Sequence, residues 1–381
     1  MIASDHTAFQ KAIAADPSDL TGRLVYADFL EETGEPSSVA RAAFIRAQIE
    51  ADGLPPNDPR RAELSGLADG LFAEHWIDWW APVCAAVGLL PPHVPGNGLR
   101  ERFARALGTS RPPGSPYQAG PSEVGVLPSG PGMFGRTDQL LRAWFRRGFP
   151  EGLALAGKLT SWAQPIRRFA ASFPLRRLQV SLVASEDWVA LAGEHLRHVE
   201  QLRVTGCRPE PVATILASPH LGGVTDLTLF PDRTHLGWAE NQLRTLLASP
   251  LAPRLTSLTV ELFTEGEAAV FAGARRLDAL AGLSVRTQLG EPGVDYGAGE
   301  VITTLAGAPL VGRLESLTLE FVSVVDRHLL VTPAVEGAVV RLLEALDPDR
   351  LRFLGLHGVP RDHPRFAALI AARFGDKVVV F

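Results

Sequence analysis

The chain has 381 residues, 46% hydrophobic and 21% charged, which excludes a disordered polymer and supplies more core than one small domain uses. A formal net charge of -5 argues against a general polyanion binder, because such proteins carry a basic excess, so nucleic acid is not an expected partner. The two cysteines, Cys84 and Cys207, are too few and too far apart for a disulfide framework or a cysteine zinc site, and they fit a reducing compartment.

The opening residues, MIASDHTAFQKAIAAD, lack the basic start and apolar run of a signal peptide. No stretch approaches the roughly 20 apolar residues of a spanning helix. A cytoplasmic protein with no membrane partner is therefore expected. Asp5 is placed to cap a first helix with Phe9 and Ile13 on one face, and Asp16-Pro17 ends it because the residue before proline avoids the helical region. Ser18 is expected to cap a second helix, in which Leu20, Leu24, Ala27 and Leu30 recur at near-helical spacing with Tyr26 alongside, before Gly34 and Pro36 stop it. A third helix over 38–51 presents Ala42, Ile45 and Ile49. A fourth runs from Asp58 through Trp76, Trp79 and Trp80, and these tryptophans with His75 read as core or a domain contact rather than an aromatic cage.

Residues 1–80 hold six Lys/Arg against fourteen Asp/Glu, whereas 136–178 hold nine Lys/Arg against two Asp/Glu. Ordinary solvated helix faces account for such a split. The sharper expectation is that the acidic helical segment docks within the chain on the basic one, a contact that salt would loosen.

The string Arg23-Leu-Val-Tyr26-Ala-Asp28-Phe-Leu30-Glu-Glu32-x-Gly34-Glu-Pro36, followed by Phe44-Ile45-Arg46-x-Gln48, resembles the bacterial repeat-companion domain over roughly 5–50. The resemblance implies a helical module that precedes leucine-rich repeats and has no established catalytic activity. Asp28 and Arg46 are expected to tie its helix hairpin together through polar contacts.

Residues 88–135 are dense in proline and glycine and read as a linker or insertion, with a short helix over 99–107. Gly130-Pro-Gly132-Met-Phe-Gly135 matches a dinucleotide fingerprint in letters but lacks the strand before and the helix after it, so no cofactor is expected.

Beyond Arg147 an L-x-x-L-x-L phrase recurs: Leu175-Leu178-Val180, Val199-Leu202-Val204, Val224-Leu227-Leu229, Leu255-Leu258-Val260, Leu280-Leu283-Val285, Leu314-Leu317-Leu319 and Leu351-Leu354-Leu356. A weaker copy at Leu153 and Leu155 opens the series, and strand-like 377–381 closes it. Such recurrence marks stacked units that cannot bury their apolar face alone. Helix-like stretches lie between the copies at 162–173, 188–195, 211–217, 239–248, 265–274 and 333–346. The combination resembles the α/β leucine-rich-repeat horseshoe of ribonuclease-inhibitor type, with about seven or eight irregular repeats, preceded by a small all-α domain. The expected division is therefore 1–87 helical, 88–135 linker and 136–381 solenoid. One departure is plain: the Asn or Cys of that family, three residues after the last strand leucine, is matched only by Cys207, with Phe263, Gln288 and Val322 among the replacements.

If the pattern leucines point inward, their neighbours form the concave face. The candidate partner-binding residues are Arg177, Gln179, Arg203, Asp226, Thr228, Phe230, Glu261, Arg286, Glu320, Phe353 and His357, with Arg203, Phe230, Arg286 and Phe353 preferred because arginine and aromatics dominate hot spots. Glu194, His195 and His198 have a spacing able to hold a metal but no third ligand, so they read as a solvent-facing helix and no metal is expected. No P-loop, nucleophile elbow or cysteine–histidine signature occurs. The expectation is a non-enzymatic scaffold recognising a protein partner. The alternative is a regulatory or sensor subunit whose helical domain recruits an effector while the repeats sense a ligand; a cryptic enzyme comes third.

Overall fold

The computed structural model describes residues 2–55, 58–87, 140–156, 163–181, 192–207, 209–231, 238–289, 297–323, 332–358, 364–375 and 379–380. The linker 88–135, with its expected helix and glycine motif, lies outside them. The chain forms two compact units, Met1–Val199 and Glu200–Phe381. A division by composition at 87 and 136 therefore separates helices and strands that share one unit.

The first unit opens with α1 (Ile2–Ala15), α2 (Leu20–Glu32), α3 (Pro36–Gly53) and α4 (Pro59–Val87). Asp19, not Ser18, is the N-cap residue of α2; the Ser18 hydroxyl instead donates to Asp16 Oδ1 at 2.6 Å. Pro36 opens α3 as well as ending the segment before it. Its fixed φ and missing N–H suit a first helical turn, and the Glu35 side chain accepts from the Ser38 N–H at 3.2 Å. The buried stripe of α2 is Arg23, Tyr26, Ala27 and Leu30, while Leu20 and Leu24 are 39% and 38% exposed. Sequence periodicity placed the apolar face about one residue off, because the inward face receives a polar turn that an arginine can satisfy. Asp28 and Arg46 do meet, at 2.7 Å, with Glu31 at the same distance, but on the surface rather than in the core. Trp79 packs on Phe44 with ring centroids 4.9 Å apart, and Trp76, Trp79 and Trp80 are all buried.

The same unit continues with β1 (Leu140–Arg146) antiparallel to β2 (Phe149–Ala156), then α5 (Ala163–Ser172) and β3 (Arg177–Ser181) parallel to β2. Arg147 and Gly148 join β1 to β2 with φ of 50° and 80°. Positive φ at both central positions matches the right-handed twist of the flanking strands. Phe149, just after this turn, belongs to the helical core with Ile13, Tyr26, Ala27, Leu30, Ala42 and Ile45.

The second unit alternates parallel strands with helices: β4 (Gln201–Cys207), α6 (Pro209–Leu216), β5 (Asp226–Pro231), α7 (Trp238–Ala248), β6 (Ser257–Glu261), α8 (Glu265–Ala272), β7 (Gly282–Leu289), α9 (Ala298–Ala306), β8 (Ser316–Ser323), α10 (Pro333–Ala345), β9 (Phe353–His357), α11 (Pro364–Phe374) and β10 (Val379–Val380). Neighbours in sequence are neighbours in the sheet. Leu202, Leu227, Leu258, Leu283, Leu317 and Leu354 align as one buried row, and Val204, Leu229, Val260, Val285, Leu319 and Leu356 as a second. The helices α9 and α11 and the strand β1 are additions to the sequence reading.

A backbone ladder fixes the start of each strand. The Glu200 carbonyl accepts from the N–H groups of Thr225 and Asp226, Thr225 from Thr256 and Ser257, Thr256 from Ala281 and Gly282, Ala281 from Glu315 and Ser316, and Glu315 from Arg352 and Phe353. At the other end of β6, where Phe263 replaces the expected Asn, Glu267 accepts the Phe263 N–H at 2.7 Å while its own N–H donates to Thr264 Oγ1. A helix side chain thus satisfies loop backbone that a strand-end amide would otherwise reach. No helix among the described residues is long and apolar enough to cross a membrane.

Candidate functional site

Alternation along each strand turns the residues between the buried aliphatics to the opposite face of the sheet. In the second unit the strand register aligns them in three rows. The first holds Gln201, Asp226, Ser257, Gly282, Ser316 and Phe353; the second Arg203, Thr228, Thr259, Ser284, Thr318 and Gly355. The third brings Glu261, Arg286, Glu320 and His357 side by side, with Phe230 on the adjoining strand opposite Thr205. Nearly all of these side chains are exposed or half-buried.

The second row is a strip of hydroxyls. Glycine keeps this row and the first one low: a Cβ at Gly355 would stand 3.1 Å from Thr318, and in the first row one at Gly282 would stand 2.9 Å from Ser316 Oγ. The third row is charged and ordered from within. Arg286 lies 3.1 Å from Glu261 and 3.6 Å from Glu320, and its guanidinium sits 5.6 Å from the Phe230 ring centroid. Arg203 reaches the same ring at 5.3 Å. Two cations therefore lie within cation–π range of the one Phe230 ring, each contact being worth about 0.5–1 kcal/mol where exposed. Glu261 is only 9% exposed, so its part is to orient Arg286 rather than to meet a partner.

Arg177 and Gln179 belong to the first unit. There Trp144 lies across Gly152, where a Cβ would fall 2.6 Å from the ring, and the Arg177 guanidinium stacks on Trp144 at 4.5 Å. Sequence reading missed Trp144 because β1 lies outside the repeated phrase and runs antiparallel; the Gly152 in an otherwise filled strand was the available signal.

The histidine pair is spent on local contacts. Glu194–Leu196 is a single 3-10 turn rather than a solvent-facing helix; His195 is half-buried, and His198 Nε2 accepts from Arg197 Nε at 2.9 Å. Among the described residues no group of three His, Cys, Asp or Glu side chains is placed to hold a metal ion. On the helix side, a groove of about 650 Å³ between α7 and α8 is bordered by Glu240 and Arg244, which close on each other at 2.6 Å.

Compared with models of protein families, with curated proteins and with solved structures, the chain finds no significant match.

Proposed function

We propose that the repeated strands form an α/β leucine-rich-repeat solenoid of the horseshoe kind, that the preceding helices are a repeat-companion module, and that the chain is a non-enzymatic scaffold binding a protein partner. The observation that carries this reading is the register of the outward rows. Hydroxyls at Thr228, Thr259, Ser284 and Thr318 run across four neighbouring strands beside the Phe230, Arg203 and Arg286 cluster. A low polar strip next to an aromatic flanked by arginines offers hydrogen bonds and one anchoring ring, the combination found at protein interfaces. Aromatics and cations do not alternate along it as a phosphate-tracking groove requires.

The test is affinity purification with mass spectrometry on wild type and on the Phe230→Ala and Arg203→Glu variants. A true partner should lose at least about tenfold in enrichment, since truncating an interface hot spot costs about 2 kcal/mol or more and about 1.4 kcal/mol is already tenfold. Variants that keep every wild-type partner at undiminished enrichment would reject the strand face as the binding surface.

A further inference from the structure

We infer that the helical module is a receptor for a short polypeptide turn of the form Gly-Phe-Pro-Glu, and that in this chain the β1–β2 turn occupies the receptor site from within.

The site is built from side chains buried in the helices, and each meets one element of the turn. Gly148 is held through its own backbone: its N–H donates to Gln48 Oε1 at 2.7 Å, and its carbonyl accepts from Arg41 Nη2 at 3.0 Å. Phe149 enters the apolar cluster, 5.5 Å from the Tyr26 ring, with the Arg23 and Arg41 guanidinium groups 5.1 and 5.8 Å from its centroid. Glu151 is 2.7 Å from Arg23, which also donates to the carbonyls of Pro17, Arg146 and Arg147. At the rim Asp52 takes Arg146 at 3.1 Å and Arg147 at 2.7 Å.

Three of these helix side chains are polar and almost wholly enclosed: Arg23 and Gln48 at 0% and Arg41 at 9% exposed. Burying such groups is unfavourable unless each is matched, and an apolar core would stabilise a purely structural helix bundle at least as well. Their matches come mainly from residues 146–151. Backbone recognition of a single glycine on both its N–H and C=O is peptide-binding chemistry, and glycine is obligatory there: φ is 80°, and a Cβ would overlap the Ile45 side chain. Of the residues meeting the turn, Arg23, Tyr26, Ala27, Leu30, Ile45 and Gln48 fall within the string that gives the helices their family resemblance, and Arg41 lies between its two parts. The buried contacts made by 146–151 come from six consecutive residues about 100 positions away in sequence, so a separate peptide carries everything the site reads.

The experiment uses the full chain with Gly148→Ala, which evicts the internal turn, and a cyclic peptide Arg-Arg-Gly-Phe-Pro-Glu. The peptide should raise the melting temperature saturably and restore amide protection in α2 and α3. Peptides with alanine in place of glycine or of phenylalanine should do neither, and one with glutamine in place of glutamate should need at least about tenfold more, a charge-assisted contact being worth about 1.5–3 kcal/mol. No saturable rise up to about 10 mM, above the roughly millimolar effective concentration that even a short flexible tether supplies, would overturn the proposal, as would equal activity of the alanine-for-glycine peptide. Should the Gly148→Ala chain fail to fold, Glu151→Gln weakens the internal turn more gently and is judged by the same outcomes.

Discussion

The strand ladder of Glu200–Phe381 and the helix–turn contact of Met1–Val199 bury apolar surface by opposite means. In the ladder one contact is repeated: leucine meets leucine on the next strand from Leu202 to Leu354, and one carbonyl accepts two N–H groups at each step. In the helix–turn contact of the first unit nothing repeats, although β2 and β3 beside it share the ladder's register. A buried arginine, an amide, a left-handed glycine and one phenylalanine combine once, between residues about 100 apart. A periodic structure tolerates the loss of one element locally, since each unit contacts only its neighbours. A unique contact is all or nothing, because every polar group removed leaves another unmatched.

The largest effect should come from the unique contact. Arg23→Met removes the cation paired with the enclosed Glu151 and leaves it only the weaker pull of Arg176, Arg146 and Arg147, and should cost about 3–5 kcal/mol in urea unfolding followed by tryptophan fluorescence. Pairing it with Glu151→Leu should recover most of that loss. A double variant as unstable as the single one would show that the ion pair is incidental. In the ladder, Leu258→Ala should cost about 2–5 kcal/mol, with amide protection lost mainly in β5 to β7 and kept in α2 and α3. Equal loss in the helices would erase the distinction between the two regions.

The smallest effect is a dependence on pH confined to the first unit. His6 packs edge-on against Tyr26 and Phe29, 5.6 and 5.3 Å between centroids, with Tyr26 Oη 2.8 Å from its Nδ1. Burial holds its pKa below the ordinary 6.5, and Arg41 adds to this against the opposing pull of Glu35 and Asp5. A depressed folded pKa means the neutral ring is the one the fold favours. Its contribution is complete above pH 6.5 and is lost as the pH falls through the lower folded value. Amide protection in α1, corrected for the intrinsic exchange rate, should therefore fall on acidification, and His6→Phe should remove that fall while leaving β4 to β9 unaffected.

Much of the ladder was legible because its signal is local and redundant. Each L-x-x-L-x-L copy names a strand, its inward residues and, by alternation, the outward rows that include Thr228, Arg286 and Glu320. The helices α6, α7, α8 and α10 followed from spacing. The orientation of α2 did not, since periodicity offers Leu20 and Leu24 to the core and a charged Arg23 to solvent. Nor could Glu261 be distinguished from Glu320: one is enclosed by Arg286 and the other half-open, a difference made by neighbouring strands rather than by either residue's own segment.

By itself the sequence determined where apolar residues recur, and hence which segments pair as strands and which side chains face away from the core, because a period of two is a property of the extended chain. Tertiary structure alone decided that Gly148 and Phe149 would be enclosed by helices from the other end of the unit. That choice depends on buried polar groups finding partners across long separations, and no window of neighbouring residues contains both halves of such a match.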